Sequence, residues 1–417
     1  MSQDFFASRW VQRPAHVADA GHGLPAGFRA GVGAAAIKQP AVVDLGLLVC
    51  DAEDCVSAAR YTRSGFVAAP VLVSRDETVP NAMRAVVANS GNANAATGAE
   101  GLQAARAMQA LAAAAVGVQP AAVGVASTGV IGIPLPTAGL PPAIADAVAA
   151  LHAGGDEAFS EAIMTTDAFA KRASLEVRLP SGTVRLSAQA KGAGMIEPAF
   201  ATMLCFVQTD AALAPETAEL LLSVCVKRSF DRISVDGQLS TNDTVILMCS
   251  GASGVRVAPE SEDELRFGEA LDALLRMLAI MIVRDGEGSK RIGRIVVRGD
   301  SGESVERCAR AIANSPLVKT ALHGADPNWG RIAQATGAAL RGAAPLELDI
   351  AIEGITVCAG GVAVPYDLAA LNAAAAGLEI EYDVGLRTSD PARPFESEVL
   401  FSDLSHEYVT INADYTT

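Results

Sequence analysis

From Gly27 to about Val87 short β-branched runs (VVDLGLLVC, GFVAAPVLVS, MRAVVANSG) alternate with turn residues, and no other feature constrains the fold as strongly. Runs of this length, bounded by Gly, Pro, Asn and Asp, read as strands. SLEVRLPSGTVRLSAQA reads as a hairpin turning at Pro-Ser-Gly, and AAVGVAS (121–127) as a strand that breaks into Thr128-Gly129. After residue 202 the alternation begins again with TMLCFVQTDAAL and TNDTVILMCSG, and the tail returns to strands in LELDIAIEGITVCAGG, LEIEYDVG and SEVLFSDLS. Helix formers interrupt this pattern at GLQAARAMQALAAAAVG (101–117), PPAIADAVAALH, PETAELLLSVCVKRSF and SVERCARAIAN. The longest helix is expected over 261–284, where Leu265, Leu271, Leu274, Leu275 and Leu278 fall near helical spacing. Residues 1–26 look irregular. Strands joined by hairpins pair antiparallel, so the expectation is an α/β (α+β) chain with mostly antiparallel or mixed sheets covered by helices.

The 417 residues exceed one small core, which leaves two domains or one large layered unit. Half of them are hydrophobic, yet no run approaches the roughly 20 apolar residues of a membrane span. MSQDFFASRWVQRPAH lacks the basic start and apolar core of a signal peptide, so a cytoplasmic protein without membrane contact is expected. A formal charge of −15 argues against nucleic acid and for small-molecule partners. Seven cysteines without a CxxC pair suit reduced, core-packing thiols. The five histidines do not join them at ligand spacings, so no metal is expected. GVGAA near the start lacks the acidic partner of a dinucleotide loop.

Chemistry concentrates in a few polar stretches. In ASTGVIG, Thr128 and Gly129 could offer a hydroxyl and a backbone N–H to an oxyanion, although an ordinary strand-to-turn transition reads the same. Thr165, Thr166 and Asp167 in AIMTTDAFAKRA could bind a substrate's charged group, but alone they read better as caps of the following turn. RDGEGSKRIG places Glu287 on a glycine-flanked loop, and its order is wrong for a phosphate-binding loop. SFDRISVDGQLSTNDTVI reads as a side-chain-bonded loop that shapes a nearby pocket, and HGADPNWGRIAQATG as a packing corner or a substrate loop. In KGAGMIEPAFATML a flexible, polar approach leads to Ala201-Thr202 at the mouth of a strand. A threonine hydroxyl needs a base, and cutting the bond before Thr202 would supply its own α-amine, whose reference pKa is about 7.7–8.0. Residue types alone leave an uncut, strand-opening threonine as the simpler reading.

The ordered blocks GFRAGVGAAAIK, AAPVLVSR, NSGNANAATG, ASTGVIG, AIMTTD, KGAGMIEPAFATML, SFDRISVDGQLSTNDT, RDGEGSK, NSPLVKTALHGADPNWGR and INADYTT run nearly the whole length of the chain. Together they resemble the ArgJ family of ornithine acetyltransferases, also described as bifunctional glutamate and amino-acid N-acetyltransferases. The resemblance implies an α-β-β-α layered sandwich of DmpA/ArgJ type with a smaller C-terminal α/β domain from about residue 290. It implies self-cleavage between Ala201 and Thr202 into an α chain (1–201) and a β chain (202–417), assembled as an α2β2 heterotetramer. Thr202 would carry acetyl from N2-acetyl-L-ornithine to L-glutamate in arginine biosynthesis, with no cofactor and with acetyl-CoA as a candidate further donor. Thr128 and Gly129 would form the oxyanion hole. Thr165 or Thr166, Lys191, Thr202, Glu287, Asn412 and Thr417 would contact substrate. The chain departs from the family pattern at Ala199-Phe200, where Asn-Met is usual, and at Gln238-Leu239, where Asp-Thr is usual. Ala168, Ala170 and the segment RYTRSGF (60–66) also differ. Two other readings share these residues: a DmpA-like amidohydrolase or aminopeptidase, and an uncleaved protein that binds acetylated amino acids.

Overall fold

Strands whose two faces are both covered read as near-continuous apolar runs, and the LCFV of LCFVQT and the VILMC of TVILMC have that character. In the computed structural model, which describes residues 5–197, 203–390 and 392–414, these strands, Leu204–Thr209 and Thr244–Cys249, lie side by side and parallel. They belong to a six-stranded sheet ordered Val17–Asp19, Lys171–Leu179, Gly182–Lys191, Leu204–Thr209, Thr244–Cys249, Val56–Tyr61, in which every other pair is antiparallel. A four-stranded sheet, ordered Phe28–Gly33, Leu45–Cys50, Ala85–Asn92, Val123–Val130, faces it.

Alternation along each strand divides the side chains between layers. Leu204, Phe206, Ile246 and Met248 meet Leu48, Val86, Ala88 and Ala126 between the two sheets. Cys205, Val207, Val245 and Leu247 point the other way, onto helices Pro215–Arg228 and Glu262–Arg284. On the far side, Leu45, Leu47, Val87 and Val125 pack under the alanine-rich helix Gly98–Val116 and helix Leu140–Ala149. The layers therefore run helix, sheet, sheet, helix.

A seven-stranded sheet follows, ordered Ile233–Ser234, Phe395–Ser402, Ile292–Gly299, Glu379–Leu386, Leu348–Ile352, Ile355–Ala359, Val362–Ala363. One face packs Ile295, Val297, Ile380 and Val384 against helices Gly302–Ala313, Pro316–His323 and Trp329–Ala339. The other face carries an ion-pair ladder in which Arg294 meets Glu381 and Glu398, and Arg298 meets Asp383 and Glu396. Its edge strand Ile233–Ser234 pairs with Leu400 and Phe401 and continues into residues 236–243, which run back to the sandwich.

Several local expectations change. GFVAAPVLVS forms helix Ala69–Asp76 rather than a strand, because Pro70 lies in its first turn, where no donor is needed, and Val71 and Val73 are buried. The strand Val123–Val130 does not break at Thr128; its parallel neighbour extends equally far and pairs Ser90 with Thr128 and Gly91 with Gly129. Within residues 1–26, Val17–Asp19 adds an edge strand to the six-stranded sheet. Trp329–Ala339 is helical where a corner or loop was expected. The long helix, capped by Ser261 and acidic in its first turn, covers Glu262–Arg284, but Leu265 is 57% exposed. At about 3.6 residues per turn, Leu265 lies half a turn round from Leu274, away from the buried stripe. All seven cysteines are buried free thiols. No helix among the described residues is long and apolar enough to cross a membrane.

Phe159, on helix Asp156–Ala162, meets Phe206 edge-on between the sheets with ring centroids 5.5 Å apart. Phe206→Ala is expected to cost about 3–5 kcal/mol in urea unfolding. Phe66→Ala, at a ring 56% exposed, should stay within about 0.5 kcal/mol.

Candidate active site

The mouth of the sandwich gathers ends of elements that are distant in sequence. Strand Val123–Val130 brings Thr128 and Gly129, strand Gly182–Lys191 ends on Lys191, and the loop after helix Asp156–Ala162 carries Thr165 and Thr166. Glu287 follows the long helix, and Asn412 stands on helix His406–Asp414. All of these line one cavity of about 220 Å³. Ala201, Thr202 and Thr417 lie outside the described residues. Lys191 pairs in register with Leu204, so the described start of that strand lies beside the lysine.

Lys191 is buried because its strand is buried to the end. Its Nζ donates to Thr165 Oγ1 at 2.9 Å and to Thr128 Oγ1 at 3.2 Å, linking the two walls of the cavity. Burial lowers its pKa, Asp167 opposes that shift, and the like charge of Lys171 adds to it. Asp167 Oδ2 lies 4.0 Å from Lys191 Nζ. The same carboxylate accepts from Lys171 Nζ at 2.7 Å, from the Gly192 amide at 2.7 Å and from the Thr165 amide at 3.0 Å. Burial alone would raise the Asp167 pKa, but Lys191 and Lys171 outweigh it and hold the carboxyl well below the usual carboxylate range. Lys171 also reaches Asp285 at 2.6 Å, two positions before Glu287.

Thr165 and Thr166 cap no helix, since the chain passes from them through a loop into strand Lys171–Leu179; Asp167 closes that loop from within. The Glu287 amide is held by the Ala193 carbonyl at 3.0 Å, and its carboxylate accepts from Asn412 Nδ2 at 2.6 Å. Gly194 leaves room for that carboxylate, since a β-carbon there would lie 2.6 Å from it and push it aside. Gly129 has φ +133°, and a β-carbon there would stand 2.3 Å from the Gly91 carbonyl carbon. The turn at this strand end is therefore open to glycine alone.

More of the wall comes from residues 236–242, from Tyr408, and from Ala93, Ile131, Gly194 and Met195. Asn242 donates to the carbonyls of Ala93 (2.7 Å) and Ser127 (2.9 Å), tying its loop to the strand end at Thr128. Gln238, one of the family departures, lines the cavity, whereas Ala199 and Phe200 lie outside the described residues. Sequence reading took 229–246 as a pocket-shaping loop and missed Asp236 and Tyr408 as wall residues. Asp236-Gly237 showed only as a turn signal, and nothing local marks Tyr408. The cavity thus holds carboxylates at Asp236 and Glu287, an ammonium at Lys191, and hydroxyl donors and acceptors between them. Such a set can take a small zwitterion and polarise a carbonyl.

Because Asp167 is held below its unfolded pKa of about 3.9, the stability it confers is full above that pH and is lost as pH falls toward the folded value. Urea midpoints should therefore separate wild type from Asp167→Asn by about 3 kcal/mol at pH 7, with the gap closing below about pH 4.

A model of the ArgJ family matches residues 29–417. The arginine biosynthesis bifunctional protein ArgJ of Symbiobacterium thermophilum is 41% identical over 397 residues, covering 94% of this chain and 98% of its own. That of Nitratidesulfovibrio vulgaris is 42% identical over 395 residues, again covering 94% of this chain and 98% of its own. The solved structure of the arginine biosynthesis bifunctional protein ArgJ from Bacillus halodurans aligns with a TM-score of 0.47 at 33% identity, over 50% of this chain and 98% of that one. With the match covering every described residue of the cavity wall, this chain belongs to the ArgJ family.

Proposed function

We propose that the chain is an acyltransferase of arginine biosynthesis that moves acetyl from N2-acetyl-L-ornithine to L-glutamate through an acetyl ester on Thr202. The observation that carries this reading is the meeting of Lys191, Glu287, Asn412 and the Thr128-Gly129 strand end in one cavity beside the start of strand Leu204–Thr209. Self-cleavage between Ala201 and Thr202 divides the chain into 1–201 and 202–417. The freed α-amine takes the Thr202 hydroxyl proton as the oxygen attacks the acetyl carbonyl. Lys191 donates to the Thr128 oxygen, which leaves the Thr128 hydroxyl proton for the oxyanion, beside the N–H of Gly129. The amide then breaks, its nitrogen takes the proton, and ornithine leaves. The amine of glutamate attacks the ester and regenerates Thr202.

Charge assigns the contacts. Glu287, oriented by Asn412, suits an ammonium. Lys191 with Thr165 and Thr166 suits carboxylate and carbonyl oxygens, and Thr417 completes the substrate contacts. A covalent relay means donor and acceptor need not occupy about 220 Å³ together. Acetyl-CoA is a second candidate donor, and an α2β2 assembly in the cytoplasm completes the reading.

Intact mass of purified protein tests it beside Thr202→Ala. Two chains, 1–201 and 202–417, together with acetylglutamate formed from acetylornithine, are expected from wild type, and neither from the variant. A cut enzyme that releases acetate and never acetylates glutamate would overturn transfer in favour of hydrolysis. Glu287→Gln keeps the shape of the site and removes its charge. It should lower kcat/KM for acetylornithine by about ten- to a hundredfold in steady-state assays, the loss of one charge-assisted hydrogen bond.

A further inference from the structure

The chain reaches and leaves residues 198–202 between two carboxyls that belong to one short segment. On the approach side, Asp236 Oδ2 accepts from the Met195 amide at 2.6 Å, and Oδ1 accepts from the amides of Ile196 (2.9 Å) and Gln238 (3.1 Å). The Ile196 carbonyl is taken in turn by the Val235 amide at 3.0 Å. Met195 has φ +57°, a left-handed conformation that a residue with a β-carbon rarely adopts. Nothing in a methionine favours that kink, so the Asp236 clamp holds it in place. On the exit side, Asp243 Oδ1 accepts from the Met203 amide at 3.0 Å, and the Met203 carbonyl accepts from Thr244 at 3.1 Å. That amide is the one bonded to residue 202.

Asp243 differs from an ordinary turn aspartate. Its side chain is fully buried, with the hydroxyls of Ser240 and Thr62 beside its carboxyl. The neighbouring Thr62 hydroxyl is committed to the Ser240 carbonyl at 2.7 Å. Burial pushes the Asp243 carboxyl well above the usual carboxylate range, against the pull of the Met203 amide and of the Ser240 and Thr62 hydroxyls. Burying a carboxyl is costly, so one kept on the Met203 amide points to a task at that junction. Asp243 does not line the cavity, so substrate contact is not that task.

We propose that Asp236 and Asp243 are positioning residues for self-cleavage, a jig that fixes both ends of 198–202 so that the bond before Thr202 is presented to its own hydroxyl. The inference rests on the cleavage reading above. In the step they serve, the Thr202 oxygen bonds to the Ala201 carbonyl carbon, the carbon–nitrogen bond breaks, and the nitrogen takes the hydroxyl proton. Water then hydrolyses the ester, leaving a carboxylate on Ala201 and restoring the hydroxyl.

The test follows the uncut fraction of full-length protein by intact mass during and after expression, with thermal unfolding recorded for each variant. Asp243→Ala should slow cutting by about tenfold or more, as misplacement of reacting groups does. Asp243→Asn, which still offers an oxygen to the Met203 amide, should restore most of the rate. Once cut, the Asp243→Ala enzyme should turn over acetylornithine at near the wild-type rate per cut chain. Should Asp243→Ala fail to unfold cooperatively, Asp236→Ala, at a less deeply buried position, gives the same cutting readout. Cutting of either alanine variant at the wild-type rate overturns the jig. Wild type that never cuts overturns the cleavage reading itself.

Discussion

One buried carboxylate, Asp167, holds the floor of the cavity together. It stands against two ammonium groups and takes the amides of Thr165 and Gly192. Removing either partner of such a cluster leaves a charge in a dry interior, which is among the largest penalties a single change can impose. Lys191, 4.0 Å from that carboxylate, spans from the six-stranded sheet to Thr128 at the end of the four-stranded one and so ties the two sheets at their mouth.

The layered sandwich makes that arrangement possible. Helices on both outer faces free the sheets to bury every position of their central strands, and a strand buried to its end delivers a lysine into the interior. The seven-stranded sheet adds reach: its last strand leads into helix His406–Asp414, which returns Tyr408 and Asn412 to the cavity. A chain with net charge −15 thus places the amine of Lys191 in the same cavity as Glu287 and Asp236. Acetyl transfer between two amino acids asks for that division of charge, with one pole for the ammonium and one for the oxygens.

Local features were legible wherever neighbours along the chain decide them. The hairpin around Pro180-Ser181 and the capped helix Glu262–Arg284 follow from turn chemistry and periodicity, since their hydrogen bonds close within the element. Helix Ala69–Asp76 was not legible, because APVLVS is β-rich by residue type and turns helical only against the sheet it covers. The outward Leu265 was misread for a related reason: spacing near 3.6 places a residue on a helix without saying where the core ends. Among the site residues, Thr128, Gly129, Thr165, Thr166, Lys191, Glu287 and Asn412 were named from motifs, and their gathering in one cavity required the fold.

By itself the sequence determined the alternation of strands and helices, the largely apolar central strands, the family membership carried by the ordered blocks, and the glycine at 129. Each depends on residue type or short-range order. Only the tertiary structure decided that Asp167 stands against two lysines, that Asp236 and Asp243 bracket one junction, and that Tyr408 joins Thr128 in one cavity wall. These are interactions between groups far apart in the chain. Their energy exists only where folding has excluded water and brought the partners within a few ångströms, which no local pattern encodes.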